Sequence, residues 1–197
     1  MIVDKQVPSL TIMIPSTFDR QSMLVELIDR LKYQIDEFGL EGAVEIITDI
    51  DNKESNIGDK RQRMIEAAKG ERVVFIDSDD WISNDYLEEI FLAFESNPDV
   101  VTFNGWLTKD GKDRENFQIA TGLPYISIPL GNGLNEYLRF PNHLCIVKRE
   151  IALKIGYRSM SFQEDYDYAL RLRDSGLIKT SVHIQKDLYH YRYSSKK

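Results

Sequence analysis

Three carboxylates fall within four residues at Asp77-Ser78-Asp79-Asp80, directly after the apolar run Val73-Val74-Phe75-Ile76. Aspartates this close repel one another unless positive charge is supplied, and carboxylates suit hard divalent ions such as Mg²⁺ and Mn²⁺. An ion held there would need an anionic ligand in turn, such as a diphosphate. Lys60 and Arg61, just past Gly58 at a predicted helix start, are placed to contact such phosphates. A solvated acidic turn capping the next helix fits the same spacing, since Asp favours turns. Spacing alone leaves both readings open. A second acid pair, Glu164-Asp165, opens a later predicted helix. Taken by itself it reads as ordinary first-turn capping, and Asp167 and Arg171, four apart, read as a helix-surface pair.

The elements that must position these groups follow from periodicity. Met64, Ile65 and Ala68 share one helical face, and Gly70 is predicted to end that helix. Residues 73–76 have the all-apolar character of a central parallel strand covered on both sides, and ligands in doubly wound sheets bind beyond the carboxyl ends of such strands. Upstream, residues 9–14 form a predicted strand that Pro15 ends, followed by the loop Pro15-Ser16-Thr17-Phe18-Asp19-Arg20. Leu24, Leu27, Ile28, Leu31, Ile35 and Phe38 recur at steps of three and four, an amphipathic helix closed by Gly39. Residues 44–50 form the second strand, with Asp49 and Asp51 at its end, where an Asx-turn is one reading.

Further on, Ser83 is placed to cap a helix carrying Leu87, Ile90, Phe91 and Phe94, with Asp85 in its first turn. Asn97-Pro98-Asp99 breaks that helix. Residues 100–107 and 115–120 read as strands around the hairpin signal Asp110-Gly111, and residues 121–140, with Gly122, Pro124, Pro129, Gly131 and Gly133, as loop. A strand over 143–147, a short helix over 149–155 closed by Gly156, the helix starting near Glu164 and stopped by Gly176, and late strands over 177–184 and 188–193 complete the pattern. The tail Lys196-Lys197 is expected to be disordered.

The chain has 197 residues, which predicts one domain able to bury a substantial core. Lysine plus arginine number 25 against 32 aspartates plus glutamates, so the formal charge is 25 − 32 = −7. That balance argues against a generic grip on nucleic acid or an anionic membrane. Cys145 is the one cysteine, which excludes an internal disulfide and fits a reducing compartment. There is no apolar run long enough to span a bilayer, and the N-terminus, with Asp4, Lys5 and Pro8, lacks the form of a signal peptide. A cytoplasmic protein is the expectation.

Gly58, Lys60 and Arg61 at a helix start, then a strand ending in Asp77, Asp79 and Asp80, resemble the family 2 glycosyltransferases of the GT-A fold. The resemblance extends over about residues 9–193. Pro15 to Arg20 is similar to the family's first-strand pattern Pro-x-Tyr-Asn-Arg, from which Phe18 and Asp19 depart. Glu164-Asp165-Tyr166-Asp167 through Arg171-Leu172 resembles its Glu-Asp-x-Asp-x-x-x-Arg-Leu motif, and Tyr189-His190-Tyr191-Arg192 resembles the ending of many members. The resemblance implies an α/β GT-A domain over 1–197, its mostly parallel central sheet flanked by helices on both faces. The nucleotide-binding part would be about 9–107 and the acceptor-side part about 108–193.

It further implies metal-dependent, inverting transfer of a sugar from a nucleotide diphosphate, UDP favoured, to a hydroxyl. By that resemblance Asp79 and Asp77 hold Mn²⁺ or Mg²⁺, with His190 as a candidate further ligand. Pro15, Ser16, Thr17, Arg20, Asp51, Gly58, Lys60, Arg61, Asp77, Ser78 and Arg192 bind the nucleotide-sugar, Asp51 at the nucleobase. Asp165 is the general base and Glu164 supports it or the acceptor. His143 and His183 receive no role, and Cys145 reads as a small buried hydrophobe. The acceptor expected is a glycan or another soluble hydroxyl compound, a modified DNA base being the less favoured alternative. A nucleotidyltransferase would carry a glycine-rich loop after the first strand, and residues 15–20 contain no glycine. A non-catalytic sugar- or calcium-binding module, or a degenerate relative that only binds sugar or nucleotide, is the other alternative; the acids of a degenerate relative would be broken, and both acidic motifs are intact. An EF-hand loop is excluded because Trp81 stands after Asp80.

Overall fold

In the computed structural model, which describes residues 7–195, three parallel strands carry the acid loop. They are β1 (Leu10–Thr17), β2 (Val44–Asp51) and β3 (Arg72–Phe75), in the order β2-β1-β3. Helix α1 (Gln21–Glu37) returns the chain from β1 to β2, and α2 (Ile57–Ala67) from β2 to β3. The α1 stripe buries Leu24, Leu27 and Leu31, and α2 buries Met64 and Ile65. Truncating a fully buried leucine such as Leu27 to alanine would cost about 2–5 kcal/mol.

β1 runs through Pro15 instead of ending there. Ile76 donates its N–H to the Met13 carbonyl, so the polar backbone of Met13 faces β3. Two residues on, Pro15 faces the same way, past the last β1–β3 pair at Met13–Phe75, and its missing N–H removes no ladder bond. Gly70 does not terminate α2 by a left-handed turn. A Cβ there would lie 2.5 Å from the Thr11 backbone nitrogen, so its glycine permits the chain to pass against β1.

After β4 (Trp81–Ile82) comes α3 (Tyr86–Ala93). Its N-cap residue is Asp85, not Ser83, and buried Gln34 of α1 accepts the Leu87 N–H at 2.9 Å. The sheet continues through β5 (Val100–Lys109), β6 (Lys112–Ile119), β7 (Ile126–Pro129), β8 (Asn135–Arg139) and β9 (Ile146–Lys148), in the spatial order β3-β9-β5-β6-β8-β7. Asp110 and Gly111 both have positive φ at the β5–β6 turn, as the hairpin signal required. Residues 126–139 form an antiparallel hairpin where the sequence reads as loop. β7 is four residues long, exposed along its whole length at the sheet edge and ended by Pro129, so its brief Ile126-Ser127-Ile128 alternation is lost among the glycines and prolines around it.

Helices α4 (Arg149–Ile155) and α5 (Glu164–Asp174) follow, and one long strand, β10 (Ser181–Tyr193), replaces the two late strands expected. Register shifts between Ile184 and Tyr189 interrupt its parallel pairing with β5, which is why it reads as two pieces. The helices pack in two groups, α1 with α3, and α2 with α4 and α5. No helix among the described residues is long and apolar enough to cross a membrane. The expectations for Asp4, Lys5 and the Lys196-Lys197 tail lie outside the described residues.

Candidate active site

The carboxyl ends of β1, β2 and β3 converge on residues 77–80. Ser16 at the end of β1 donates to Ser78 Oγ at 3.0 Å, tying the first strand to the acid loop. Lys60 is buried and does not face open solvent. Its Nζ donates to the Ser16 carbonyl and to Asp51 Oδ1, both at 2.8 Å. The Lys60 hydrogen bond is the main cause that lowers the Asp51 carboxyl to about 2. Asp51 also accepts the N–H groups of Lys53 and Ser55, so the Asx-turn geometry is present. Thr17 bonds Asp19 at the rim of this loop.

Gly58 contacts the acceptor-side chain. Its N–H donates to the Met160 carbonyl at 3.0 Å, and a Cβ would sit 2.0 Å from the Arg158 carbonyl oxygen. That close approach is what glycine permits at this position, and it clamps the start of α2 against the segment leading into α5.

Arg61 is the electrostatic centre. Its side chain is 4% exposed, with Nη2 3.1 Å from Asp77 Oδ1 and Nε 3.6 Å from Glu164 Oε1. The guanidinium also faces the ring of Phe75 at 5.0 Å. Burial opposes its charge, but Asp77 above all, then Tyr157 and Glu164, hold its pKa above the ordinary value. Burial likewise pushes the Asp77 carboxyl up, and Arg61 followed by His143 overcomes it, holding that group well below the usual carboxylate range. Asp80 goes the other way. It is fully buried beside charged Asp77, and those two causes raise its pKa although Tyr189 Oη donates to it at 2.7 Å and the Arg192 N–H at 2.8 Å.

Asp79 pairs with Arg20 at 3.0 Å. Arg192 clamps the loop from its other side, Nε to the Asp79 carbonyl and Nη2 to that of Asp80. These contacts gather Ser16, Arg20, Arg61, Asp77, Ser78, Asp79, Asp80 and Arg192 at one place.

The second acid pair comes to the same place. Glu164 is buried against Arg61, and Asp165 opens α5 with its side chain 39% exposed. The Asp165 Oδ1 accepts the Tyr166 N–H at 2.8 Å. Between the two acid motifs lies His143, its Nε2 3.8 Å from Asp77 Oδ2 and its Nδ1 3.8 Å from Asp165 Oδ2. A cleft of about 570 Å³ opens over these groups. Tyr125, Asn142, Tyr191 and Phe162 share its wall, Phe162 being 78% exposed.

His143 receives no role from the sequence, which reads residues 143–147 as a strand. The strand begins only at Ile146, and residues 142–145 form a turn in which Asn142 Oδ1 accepts the Leu144 N–H. His190, offered as a metal ligand, is not brought to the acids. Its ring stacks on Trp106 at 4.9 Å and bonds Thr108 Oγ1 at 2.9 Å, while its neighbour Tyr189 faces Asp80 and Tyr191 lines the cleft. In register His190 stands opposite Trp106 of β5, and that cross-strand stack together with Thr108 takes its ring. His183 bonds Thr102 in the sheet, and burial raises the Cys145 thiol to about 12.

Among the described residues no group of three or more His, Cys, Asp or Glu side chains is arranged to hold a metal ion. Mg²⁺-type ions commonly use only one or two carboxylates and take their remaining oxygens from substrate phosphates and water. Asp77 and Asp79 are hard oxygen donors of that kind. The donor set fits an ion that arrives with a diphosphate and does not fit an all-protein cage.

The sequence pattern described as Glycosyl transferase family 2 matches residues 29–166. The chain is 27% identical over 129 residues to the O-antigen biosynthesis protein RfbC of Myxococcus xanthus, an alignment that covers 66% of this chain and 10% of that protein. It superposes on the structure of S. aureus TarS with UDP-GlcNAc at a TM-score of 0.62 and 15% identity, covering 93% of this chain and 58% of the TarS chain. The TarS complex with UDP gives 0.63 and 15%, with 93% and 60% covered. This likeness is one of fold, the GT-A type of α/β architecture. The chain spans a tenth of the curated relative and about three fifths of these TarS chains.

Proposed function

This chain belongs to glycosyl transferase family 2, and we propose that it moves a sugar from a UDP-sugar to a hydroxyl acceptor in the cleft between Asp77 and Asp165. One observation carries the reading. Arg61 and His143 couple the acid loop at the end of β3 to the acid pair opening α5, so two motifs 84 or more residues apart in the chain line one cleft. Residues 9–107 then serve as the donor half and 108–193 as the acceptor half of one domain. The lone buried Cys145 suits a cytoplasmic setting.

On the donor side, Asp79 and Asp77 would hold Mn²⁺ or Mg²⁺, which when bound neutralises the leaving diphosphate as a Lewis acid. Arg20 and Arg192 bring guanidinium groups to the edge of the same loop, suited to phosphate oxygens. Pro15, Ser16, Thr17 and Asp51 line the nucleoside end, with Lys60 holding Asp51 and the Ser16 carbonyl in place. The TarS structures contain UDP-GlcNAc and UDP, and they support a uridine nucleotide as the donor here.

On the acceptor side, Asp165 takes the proton of the attacking hydroxyl. One of its oxygens is held by the Tyr166 N–H and the other faces His143. Glu164, against Arg61, fixes the start of α5 relative to Asp77. A single displacement inverts the anomeric centre, because the hydroxyl must attack opposite the leaving diphosphate. The mixture of aromatic and hydrogen-bonding groups around Phe162, Tyr125 and Asn142 suits a glycan or similar polyhydroxylated acceptor.

Calorimetry with UDP and UDP-GlcNAc, with and without Mn²⁺, tests the donor half. Metal-dependent binding that Asp79→Ala abolishes is expected. Equal affinity for UDP, GDP and CDP, or equal affinity with and without metal, would contradict the assignment.

A further inference from the structure

We propose that His143 is a positioning residue for the transfer, a rigid spacer that holds the Asp165 carboxylate at a set distance from Asp77. The inference rests on the function proposed above. It arises from the two 3.8 Å separations, one from each ring nitrogen, to carboxylates of the two acid motifs that line the cleft. An imidazole carries its nitrogens on a flat ring, so one side chain faces both acids without flexing. Contacts slightly longer than a hydrogen bond are common in ligand-free sites and tighten when substrate binds.

His143 is itself well anchored. Its side chain is 11% exposed. Its carbonyl accepts the Phe75 N–H at 3.2 Å, which ties it to β3 two residues before Asp77. The Asn142 carbonyl accepts the Cys145 N–H at 3.1 Å, and Asn142 Oδ1 the Leu144 N–H at 3.0 Å, so the turn on either side of the ring is fixed.

Asp165 lacks such anchoring. It opens a helix whose N-cap, Gln163, is in the left-handed region at φ 61 and makes no side-chain capping bond. The carboxylate is more than a third exposed, and among the described residues its Oδ1 accepts only from the adjacent backbone N–H of Tyr166. Without the ring, the bond from the Tyr166 N–H and the more distant charge of Arg61 are what oppose rotation of the Asp165 side chain toward solvent. His143 therefore transmits the position of β3, and with it of Asp77, to the base.

The test combines kinetics with structure. UDP release from UDP-GlcNAc is measured for the parent, His143→Ala, Asp165→Asn and the double variant, beside UDP affinity in Mn²⁺ and thermal unfolding. Misplacing a reacting group by an ångström costs on the order of a hundredfold, so kcat of His143→Ala should fall by about that factor. UDP affinity and melting temperature should stay close to the parent's. The double variant should be no slower than Asp165→Asn alone, since a spacer has nothing left to position. His143→Gln, which keeps an N–H near one acid, should recover part of the loss.

Crystal structures of the parent and His143→Ala with UDP and Mn²⁺ should show the Asp165 carboxylate turned away in the variant. An unmoved Asp165 in that variant overturns the proposal, whatever the kinetics. So do parent-like turnover, losses that multiply in the double variant, or a fall in stability and affinity that tracks the fall in kcat. A parent that neither binds UDP nor releases it from UDP-GlcNAc counts instead against the function proposed, while the crystallographic comparison still decides the spacer.

Discussion

Arg61→Ala is expected to cost stability as well as nucleotide affinity, because the guanidinium is enclosed by protein. Asp77 lies 3.1 Å and Glu164 3.6 Å from it, and the side chain is 4% exposed. At an effective dielectric of about 20, each contact is a Coulomb attraction of roughly 5 kcal/mol. Desolvation of three charges offsets much of that gain. Removing one partner leaves the carboxylates uncompensated, and the net loss for such a buried group is about 3–5 kcal/mol. In a chain of this length that corresponds to a melting temperature lower by roughly 6–20 °C.

Thermal unfolding followed by circular dichroism at pH 7 reads the effect directly. Arg61→Ala combined with Asp77→Asn should recover part of the loss, since one stranded charge is gone. The parent should also weaken in acid. Asp77 has a depressed folded pKa, so its contribution is present above the ordinary carboxylate range and is lost as pH falls below it. A melting temperature for Arg61→Ala within about 2 °C of the parent, the scale of an ordinary surface substitution, would refute the argument.

Asp80→Asn should stabilise the protein relative to the parent as pH rises from 4 toward 8. The buried carboxyl has a raised folded pKa, so the parent loses stability as pH climbs through it; chemical-denaturation midpoints across that range check the sign. Lys60→Met should lower stability at pH 7 and flatten the acid limb. The Asp51 contribution is complete above its ordinary value of 3.8 and is lost as pH falls toward about 2, and urea midpoints parallel to the parent's between pH 7 and 3 would contradict this. Gly58→Ala should destabilise the fold and disturb the segment before α5, because its Cβ would meet the Arg158 carbonyl oxygen at 2.0 Å; unfolding curves matching the parent's would show that this backbone moves aside at no cost.

The central elements were legible because their burial is one-sided or complete. The stripe Leu24, Leu27 and Leu31 and the run from Val73 to Phe75 have one reading each, and β1, α1, β2, α2 and β3 follow in the order expected. The hairpin of β7 and β8 was not legible, since its strands are four and five residues long and lie among Gly122, Pro124, Pro129, Gly131 and Gly133, which read as loop.

Charged residues were harder. Lys60 and Arg61 invite a ligand-facing reading because lysine and arginine are seldom fully buried without a partner. Their partners, Asp51, Asp77 and Glu164, are 9, 16 and 103 positions away and become neighbours only in the fold. His143 was missed for the same reason: both of its carboxylate neighbours are remote in sequence. His190 was misplaced in the same way, because Trp106 and Thr108, which hold its ring, are 84 and 82 positions away and come beside it only in the sheet.

The acid opening α5 is proposed to perform the chemistry on a donor held at the end of β3. Asp165→Asn tests it most directly, measured as initial rate of sugar transfer beside UDP affinity in Mn²⁺ on the same preparation. Asparagine keeps the size of the side chain and the bond from the Tyr166 N–H but takes no proton from a hydroxyl. The rate is expected to fall by about a hundred- to ten-thousand-fold with nucleotide affinity unchanged. A variant that transfers sugar at the parent's rate, or that loses nucleotide binding together with transfer, would contradict it.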